Sequence, residues 1–325
     1  MDTAFVRAID IRVFFPVKGG IFQRNVAYVK AVDGVSLEIN KGETVGLVGE
    51  TGCGKTTLAR CLLRLSEATK GKVFIDGKDI SALSPGKMRD MRRHIQMIFE
   101  NPALSLDPGM MVWELIGEPL KVHHISTGKE LRARVDELLR MVELEPYHGE
   151  RHPNELSGGE KQRVEIARAL ATAPAFVVCD NALGQLDTSI QGQIISLLMR
   201  LRQEYEIAYL FIAHDLALVR QISDRIAVMY SGKIMEIAEC DEFFRNPLHP
   251  YSRALLSAVL KPDPKAEHER KILLLPGELP SPISPPPGCR FHPRCPIQDA
   301  SCSQEEPTLN EIRNGHFVAC HFAGM

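Results

Sequence analysis

Residues Gly49 to Thr57, GETGCGKTT, set two glycines, a lysine and a hydroxyl at the spacing G-x-x-x-x-G-K-[ST]. Glycines let backbone N–H groups converge on an anion, and a helix starting at the lysine adds the favourable end of its dipole. A loop made of Gly49, Glu50, Thr51, Gly52, Cys53, Gly54, Lys55, Thr56 and Thr57 therefore suits phosphates, with Lys55 reaching the terminal ones and Thr56 ligating Mg²⁺. A second stretch, AFVVCDNALGQLDTS (175–189), ends an apolar run in Asp180, an acid suited to holding magnesium. The next position, where a second acid would activate water, is Asn181. A third stretch, LSGGEKQRVEIARAL, opens on Ser157, Gly158 and Gly159, small residues that leave N–H groups exposed at a helix start. Finally, Cys289, Cys295, Cys302 and Cys320 read C-x₅-C-x₆-C-x₁₇-C. Four thiolates on a proline-stiffened loop suit a tetrahedral zinc site or an iron–sulfur cluster. Unligated thiols, or His292, His316 and His321 competing as ligands, stay open on spacing alone.

These residues need elements to carry them. TVGLV (44–48), AFVVC (175–179) and AYLFIA (208–213) are short apolar runs, as buried parallel strands are. Leu58, Cys61, Leu62 and Leu65 fall on one face of a helix that follows the glycine loop. Segments near 5–15, 31–40 and 72–77 alternate or are β-branched, which predicts an antiparallel strand layer. Residues from 101 to about 155 are helical in pattern, and RIAVMYSGKIMEIAE (225–239) reads as a hairpin turning at Ser231-Gly232. From Pro262 onward proline-rich sequence excludes regular helix or central strand. The expected fold class is α/β: a mainly parallel core sheet, an antiparallel β layer, a helical subdomain and a cysteine-containing extension. The expected domains are 1–260, with the helical subdomain at about 101–160, and 261–325.

Composition sets limits. At 325 residues, with 44% hydrophobic and 25% charged residues, the chain is an ordinary soluble protein with room for one large domain and an appendage. A net charge of −2 gives no basic field for nucleic acid. The N-terminus carries Asp2 and Asp10 and lacks the apolar core of a secretory signal, and no run is long enough to span a bilayer. Cys53, Cys61, Cys179 and Cys240 are scattered and read as small buried hydrophobes.

The glycine loop, LSGGEKQRVEIARAL and the Asp180 strand, in this order, resemble the ATP-binding cassette family. The resemblance implies ATP and Mg²⁺ as cofactors, with Thr56 and Asp180 on the metal. It implies that Ser157, Gly158 and Gly159 contact the γ-phosphate bound on another subunit. His214, in FIAHD, matches the switch histidine, and Asp187, in GQLD, the loop that crosses the dimer interface. HIQMIFENPALSLDPGM, NPLHPYSRALLSAV and LLPGELPSPISPPPGCRFHPRCP narrow the resemblance to ATPase subunits of oligopeptide and dipeptide importers. The subfamily implies a paralogous ATPase, two transmembrane permease subunits, an external substrate-binding protein, and a place on the cytoplasmic face of the membrane. It also tips the four cysteines toward [4Fe–4S], with zinc as the alternative. An oligosaccharide or nickel importer, or a soluble cassette ATPase of iron–sulfur assembly, is the competing function. A chromosome-structure ATPase would separate the loop and the signature by long coiled coils, and here only about a hundred residues intervene.

Two positions depart from the family. Asn181 replaces the glutamate that follows the strand-end aspartate, with ALGQ after it. Glu100 replaces the family's magnesium- and water-contacting glutamine at the end of QMIF. An amide is not a base at neutral pH, and losing general-base help costs about 10²–10⁴ in rate. The expectation is ATP binding with impaired hydrolysis here, and an intact signature that serves a paralogue in a heterodimer. Phe22 and Tyr28 are the candidate stacking partners for adenine.

Overall fold

The structure is a computed structural model that describes residues 4–19, 24–259 and 273–323. In chain order its strands are β1 Val6–Gly19, β2 Arg24–Ile39, β3 Thr44–Val48, β4 Lys70–Ile75, β5 Lys78–Asp79 and β6 Ile95–Ile98. There follow β7 Phe176–Asp180, β8 Ala208–Ile212, β9 Arg225–Tyr230, β10 Lys233–Glu239, β11 Asn310–Arg313 and β12 His316–Val318. The helices are α1 Lys55–Leu62, α2 Pro85–Met91, α3 Pro102–Ser105, α4 Val112–Val122 and α5 Gly128–Met141. Then come α6 Gly158–Leu170, α7 Thr188–Tyr205, α8 Leu216–Ile222, α9 Cys240–Arg245, α10 Pro250–Ser257 and, in the tail, α11 Ala300–Gln304.

The chain forms two compact units that interleave along the sequence. One comprises Met1–Val6, Ile39–Thr44 and Phe74–Ala213; the other comprises Arg7–Glu38, Val45–Val73 and His214–Met325. The boundary expected near 260 falls among residues 260–272, outside the described residues.

In the first unit β6, β7 and β8 pair in parallel, with Ile95 opposite Phe176 and Asp180 opposite Ile212. Every residue of β7 and β8 is buried, which is why both read as near-continuous apolar runs rather than alternating ones. The helices α3 to α6 gather beside this sheet. Leu131, Val135, Leu138 and Leu139 of α5 recur at helical spacing and are buried. Glu165 of α6 has no exposure, and three groups satisfy it: Phe99 N (3.0 Å), Ser105 Oγ (2.6 Å) and the Arg168 guanidinium (3.4 Å). It ties the strand-to-helix loop after β6 to the middle of α6.

In the second unit β3 runs parallel to β9, and β9 and β10 form an antiparallel hairpin whose turn is Ser231-Gly232. Both turn residues have positive φ (44° and 81°), the primed geometry that matches strand twist. The chain's last strands continue the same sheet: β12 pairs with β10, Glu236 opposite Val318, and β11 pairs with β12. Buried Glu236 accepts from Leu248 N (2.8 Å), His249 N (2.9 Å) and His316 Nε2 (2.7 Å), locking β10, the entry to α10 and β12 together. Burial raises Glu236, but the hydrogen bonds, led by that from His316, hold it below the ordinary carboxylate value. Between these strands and α10, residues 273–291 contain no helix or strand, as their prolines dictate.

Candidate nucleotide site

The glycine loop joins β3 to α1, as its sequence implies. Gly49 (φ 150°) and Gly54 (φ 110°) hold backbone conformations that a side chain would strain. A Cβ on Gly49 would stand 2.1 Å from the Met229 carbonyl oxygen, and one on Gly54 2.2 Å from that of Ala31. Gly54 is also the N-cap of α1 and has no side chain to claim the first amides of the helix. Lys55 is 6% exposed, and its ammonium donates to the carbonyls of Gly49 (2.7 Å) and Glu50 (2.9 Å). The charge is thus held over the mouth of the loop, where an anion would meet it together with the helix N-terminus. This is the arrangement phosphate groups require, and it fits ATP.

His214 lies in the same unit. A cavity of about 390 Å³ is lined by Gly49, His214, Asp215 and Leu216 with Leu255 and Ala258 of the α10 segment. The histidine and the loop's first glycine therefore open onto one space.

On the first unit, Asp180 is the last residue of β7 and is 5% exposed. Asn181 leaves the strand at φ 50°, its N–H bonded to Ile212 O (2.8 Å). Its side-chain amide donates to Glu100 Oε1 at 2.7 Å. The two residues that depart from the family pattern are thus direct partners, one at the end of β7 and the other just beyond β6. The ALGQ loop closes on itself, with Gly184 N on Asn181 O and Gln191 Nε2 on Leu183 O, and leads to exposed Asp187, the N-cap of α7.

Ser157 caps α6 with a reciprocal box: its Oγ accepts from Glu160 N (3.3 Å), while Glu160 Oε2 accepts from Ser157 N (2.8 Å) and Oγ (2.7 Å). The Ser157 backbone N–H, followed by its hydroxyl and then His148, holds the Glu160 carboxyl below the usual range. Gly158 and Gly159 are the first two helical residues, so the start of α6 carries no bulk.

Comparison with known proteins gives the family. The chain matches the ABC transporter model over residues 32–184 and the model of the oligopeptide/dipeptide transporter C-terminal region over 235–302. It is 47% identical to the oligopeptide transport ATP-binding protein AppF of Bacillus subtilis over 313 residues, covering 96% of this chain and 95% of that one. The chain belongs to the ATP-binding cassette family, in its oligopeptide/dipeptide transporter branch. The oligopeptide transport ATP-binding protein OppF of Escherichia coli is 47% identical, over 96% of this chain and 94% of its own. Among solved structures, a dimeric ATP-binding cassette in a post-hydrolysis state, bound to ADP and Pi, superposes with a TM-score of 0.65 at 30% identity. That match covers 72% of this chain and 98% of that one.

Other expectations for the cassette meet mixed outcomes. Phe22 lies outside the described residues. Tyr28 is on β2, 47% exposed, with its hydroxyl near Asn25 Nδ2 (3.4 Å). Cys53, Cys61, Cys179 and Cys240 are all buried, and burial pushes Cys61 and Cys240 up to about 11, so they are inert thiols. Among the described residues no group of three or more His, Cys, Asp or Glu stands as a metal site, at the tail cysteines or elsewhere, so neither the expected cluster nor zinc has a formed ligand set there. The tail cysteines are nonetheless neighbours: burial raises Cys289 to about 11, and Cys302, Cys320 and Cys295 each add to the rise. The three histidines weighed as competing ligands are engaged elsewhere: His316 on Glu236, His292 on the Cys289 carbonyl (2.9 Å) and His321 on the Glu305 carbonyl (3.0 Å).

Sequence reasoning missed Tyr251, whose hydroxyl accepts from Glu50 N at 2.8 Å. It also missed Arg294, on the Glu50 carboxylate. Both sit inside stretches that carry the subfamily resemblance, HPYSRALL and CRFHPRC. Nothing in their spacing says they face the glycine loop.

Proposed function

We propose that this chain is the ATP-binding subunit that powers peptide import through a membrane complex, with an impaired hydrolytic site of its own and a signature that completes the site of a paralogous ATPase. The peptide cargo is supported by the match to the oligopeptide/dipeptide transporter C-terminal region and by relatives whose names state oligopeptide transport. The asymmetry rests on one observation, the 2.7 Å bond from Asn181 to Glu100. An amide cannot take a proton from water at pH 7, and the carboxylate beside it is engaged by that amide. Lys55, Thr56, Asp180 and His214 keep the residue types that bind nucleotide and Mg²⁺, so ATP held here favours the closed dimer rather than turning over. Ser157, Gly158 and Gly159 remain unaltered for the other site. The remaining partners are two transmembrane permease subunits and an external substrate-binding protein, which place the chain at the cytoplasmic face of the membrane. Among the described residues no helix is long and apolar enough to cross it.

For the four tail thiols the reading is a [4Fe–4S] cluster, supported by the tail's resemblance to the importer subfamily and by the nearness of the cysteines, Cys302, Cys320 and Cys295 each adding to the rise at Cys289. Bound there, it would act as a staple for a segment with little core of its own.

The test uses the complex purified from native membranes through a tag on this chain. Two polytopic subunits and a second ATPase should copurify. Lys55→Ala should leave appreciable steady-state ATPase, whereas Ser157→Arg should remove nearly all of it, because a bulky cation would block the α6 N-terminus from the partner's nucleotide. Full-rate hydrolysis by this chain alone, or a silent Ser157→Arg beside a dead Lys55→Ala, overturns the asymmetric reading.

A further inference from the structure

The segment Cys289–Cys295, CRFHPRC, holds the phosphate loop directly at one point and through an intermediary at a second. Arg294, only 8% exposed, donates from Nη1 to both carboxylate oxygens of Glu50, at 3.0 and 2.9 Å. The same guanidinium is oriented by Pro276 O (3.0 Å, from Nε) and the Tyr230 hydroxyl (3.4 Å). Glu50 is the second residue of the loop, and each of its groups is assigned. Its N–H is on the Tyr251 hydroxyl (2.8 Å), its carbonyl is on Lys55 Nζ (2.9 Å), and its carboxylate is on Arg294. The second grip is Arg290, which donates to the Ser231 carbonyl and the Asp33 carboxylate. The adjoining Gly232 N–H holds the Cys53 carbonyl of the loop at 2.8 Å. Phe291, fully buried between the two arginines in sequence, stacks edge-on to Tyr230 (5.2 Å) and is tilted against Tyr251 (5.4 Å). Upstream in the tail, Leu279 Cδ2 would lie 3.8 Å from a methyl group placed on Gly52.

We propose that Arg294 is a positioning residue for nucleotide binding: through Glu50 it fixes the carbonyl that holds Lys55, and so sets the loop for phosphate. The tail is thereby a working part of the nucleotide site. Lys55 must present its ammonium at one place, and a loop of glycines has little rigidity of its own. A buried, multiply bonded arginine supplies that rigidity from outside the loop, at the position where one carbonyl both ends the clamp and orients the lysine. The inference needs only that this loop binds ATP, and is independent of the asymmetric assembly and of any metal in the tail.

The experiment measures the Kd for ATP of the purified full-length chain by calorimetry, together with its urea midpoint. Arg294→Met should weaken ATP binding about five- to twentyfold, since it strands the Glu50 carboxylate. Arg294→Lys, which keeps a cation for Glu50, should recover at least half of that loss on a logarithmic scale. Glu50→Gln should weaken binding comparably, and the double variant Arg294→Met/Glu50→Gln should be no worse than the poorer single, because the two act as one unit. In the complex, Arg294→Lys should raise the ATP concentration needed for half-maximal turnover more than it lowers kcat. An unchanged Kd in Arg294→Met with a lowered urea midpoint would make the pair merely structural and overturn the proposal, as would additive losses in the double variant. Should Arg294→Met not fold, Arg294→Lys and Glu50→Gln carry the test: wild-type affinity in both overturns it, and weakened affinity in Glu50→Gln with milder weakening in Arg294→Lys supports it.

Discussion

Asn181 leaves β7 with φ 50°, a conformation that asparagine tolerates better than most residues. Its amide has its partner in Glu100, whose carboxylate would meet a like charge if position 181 were acidic. Two carboxylates at hydrogen-bond range do not both ionise, and the one that does stays tied to the proton of its neighbour. Restoring the glutamate alone therefore restores little. Asn181→Glu should leave the complex's steady-state ATPase within about twofold of the parent. Asn181→Glu with Glu100→Gln removes the clash and should raise turnover at this site by at least about tenfold, the low end of what general-base catalysis contributes. The readout is ATPase in a background whose partner site is inactivated. A large gain from the single substitution would mean that Glu100 is no obstacle.

At the scale of elements, α10 is tied to the loop through its first turn. His249 is its N-cap and accepts from Tyr251 N at 3.0 Å through Nδ1, which requires that nitrogen to be unprotonated. Burial pushes the imidazole down to about 4. A folded value below the unfolded 6.5 means that protonation favours unfolding: the stabilisation is complete above about pH 6.5 and drains away as pH falls toward 4. Between pH 7 and pH 5 the loss from this group is about 2 kcal/mol. Asparagine is a good N-cap without a titrating ring. His249→Asn should therefore flatten the urea midpoint between pH 7 and pH 5 relative to the parent. Equal acid sensitivity in both proteins would place the titration elsewhere. Tyr251 also carries Glu50 N, so mild acid should weaken ATP retention in the parent more than in His249→Asn.

For the whole molecule, the tail is the part whose chemistry reaches beyond the cassette fold. Within the second unit it pairs β12 with β10, and the His316–Glu236 bond secures that pairing. A [4Fe–4S] staple would add to a segment already anchored at its far end. Protein purified without oxygen should be brown and carry about four irons per chain. Cys295→Ser should lose the iron and raise proteolytic sensitivity around residues 273–302, with ATP affinity reduced but retained. Stoichiometric zinc without iron would remove the cluster from the account.

Much of this was legible in local sequence because the rules involved are local. Apolar runs of five or six residues became β3, β7 and β8, since strands buried on both faces leave few polar positions. Gly49, Gly54 and Lys55 announced the phosphate loop through backbone conformations few other residues adopt, and Ser157 with Glu160 spelled a capping box three residues long. The 2.7 Å bond between Asn181 and Glu100 was not legible as a bond. Each departure was visible alone, but their meeting depends on β6 lying beside β7, a pairing across 81 positions. Arg294 is more remote still, 244 residues from Glu50, and an arginine between two cysteines reads as a solvated charge until a tertiary fold buries it. Local conformation follows from residue type and spacing, so the sequence determined the loop, the cap and the strands. Which distant side chain satisfies Glu50 or Glu236 depends on how the chain returns upon itself, and that only the tertiary structure decided.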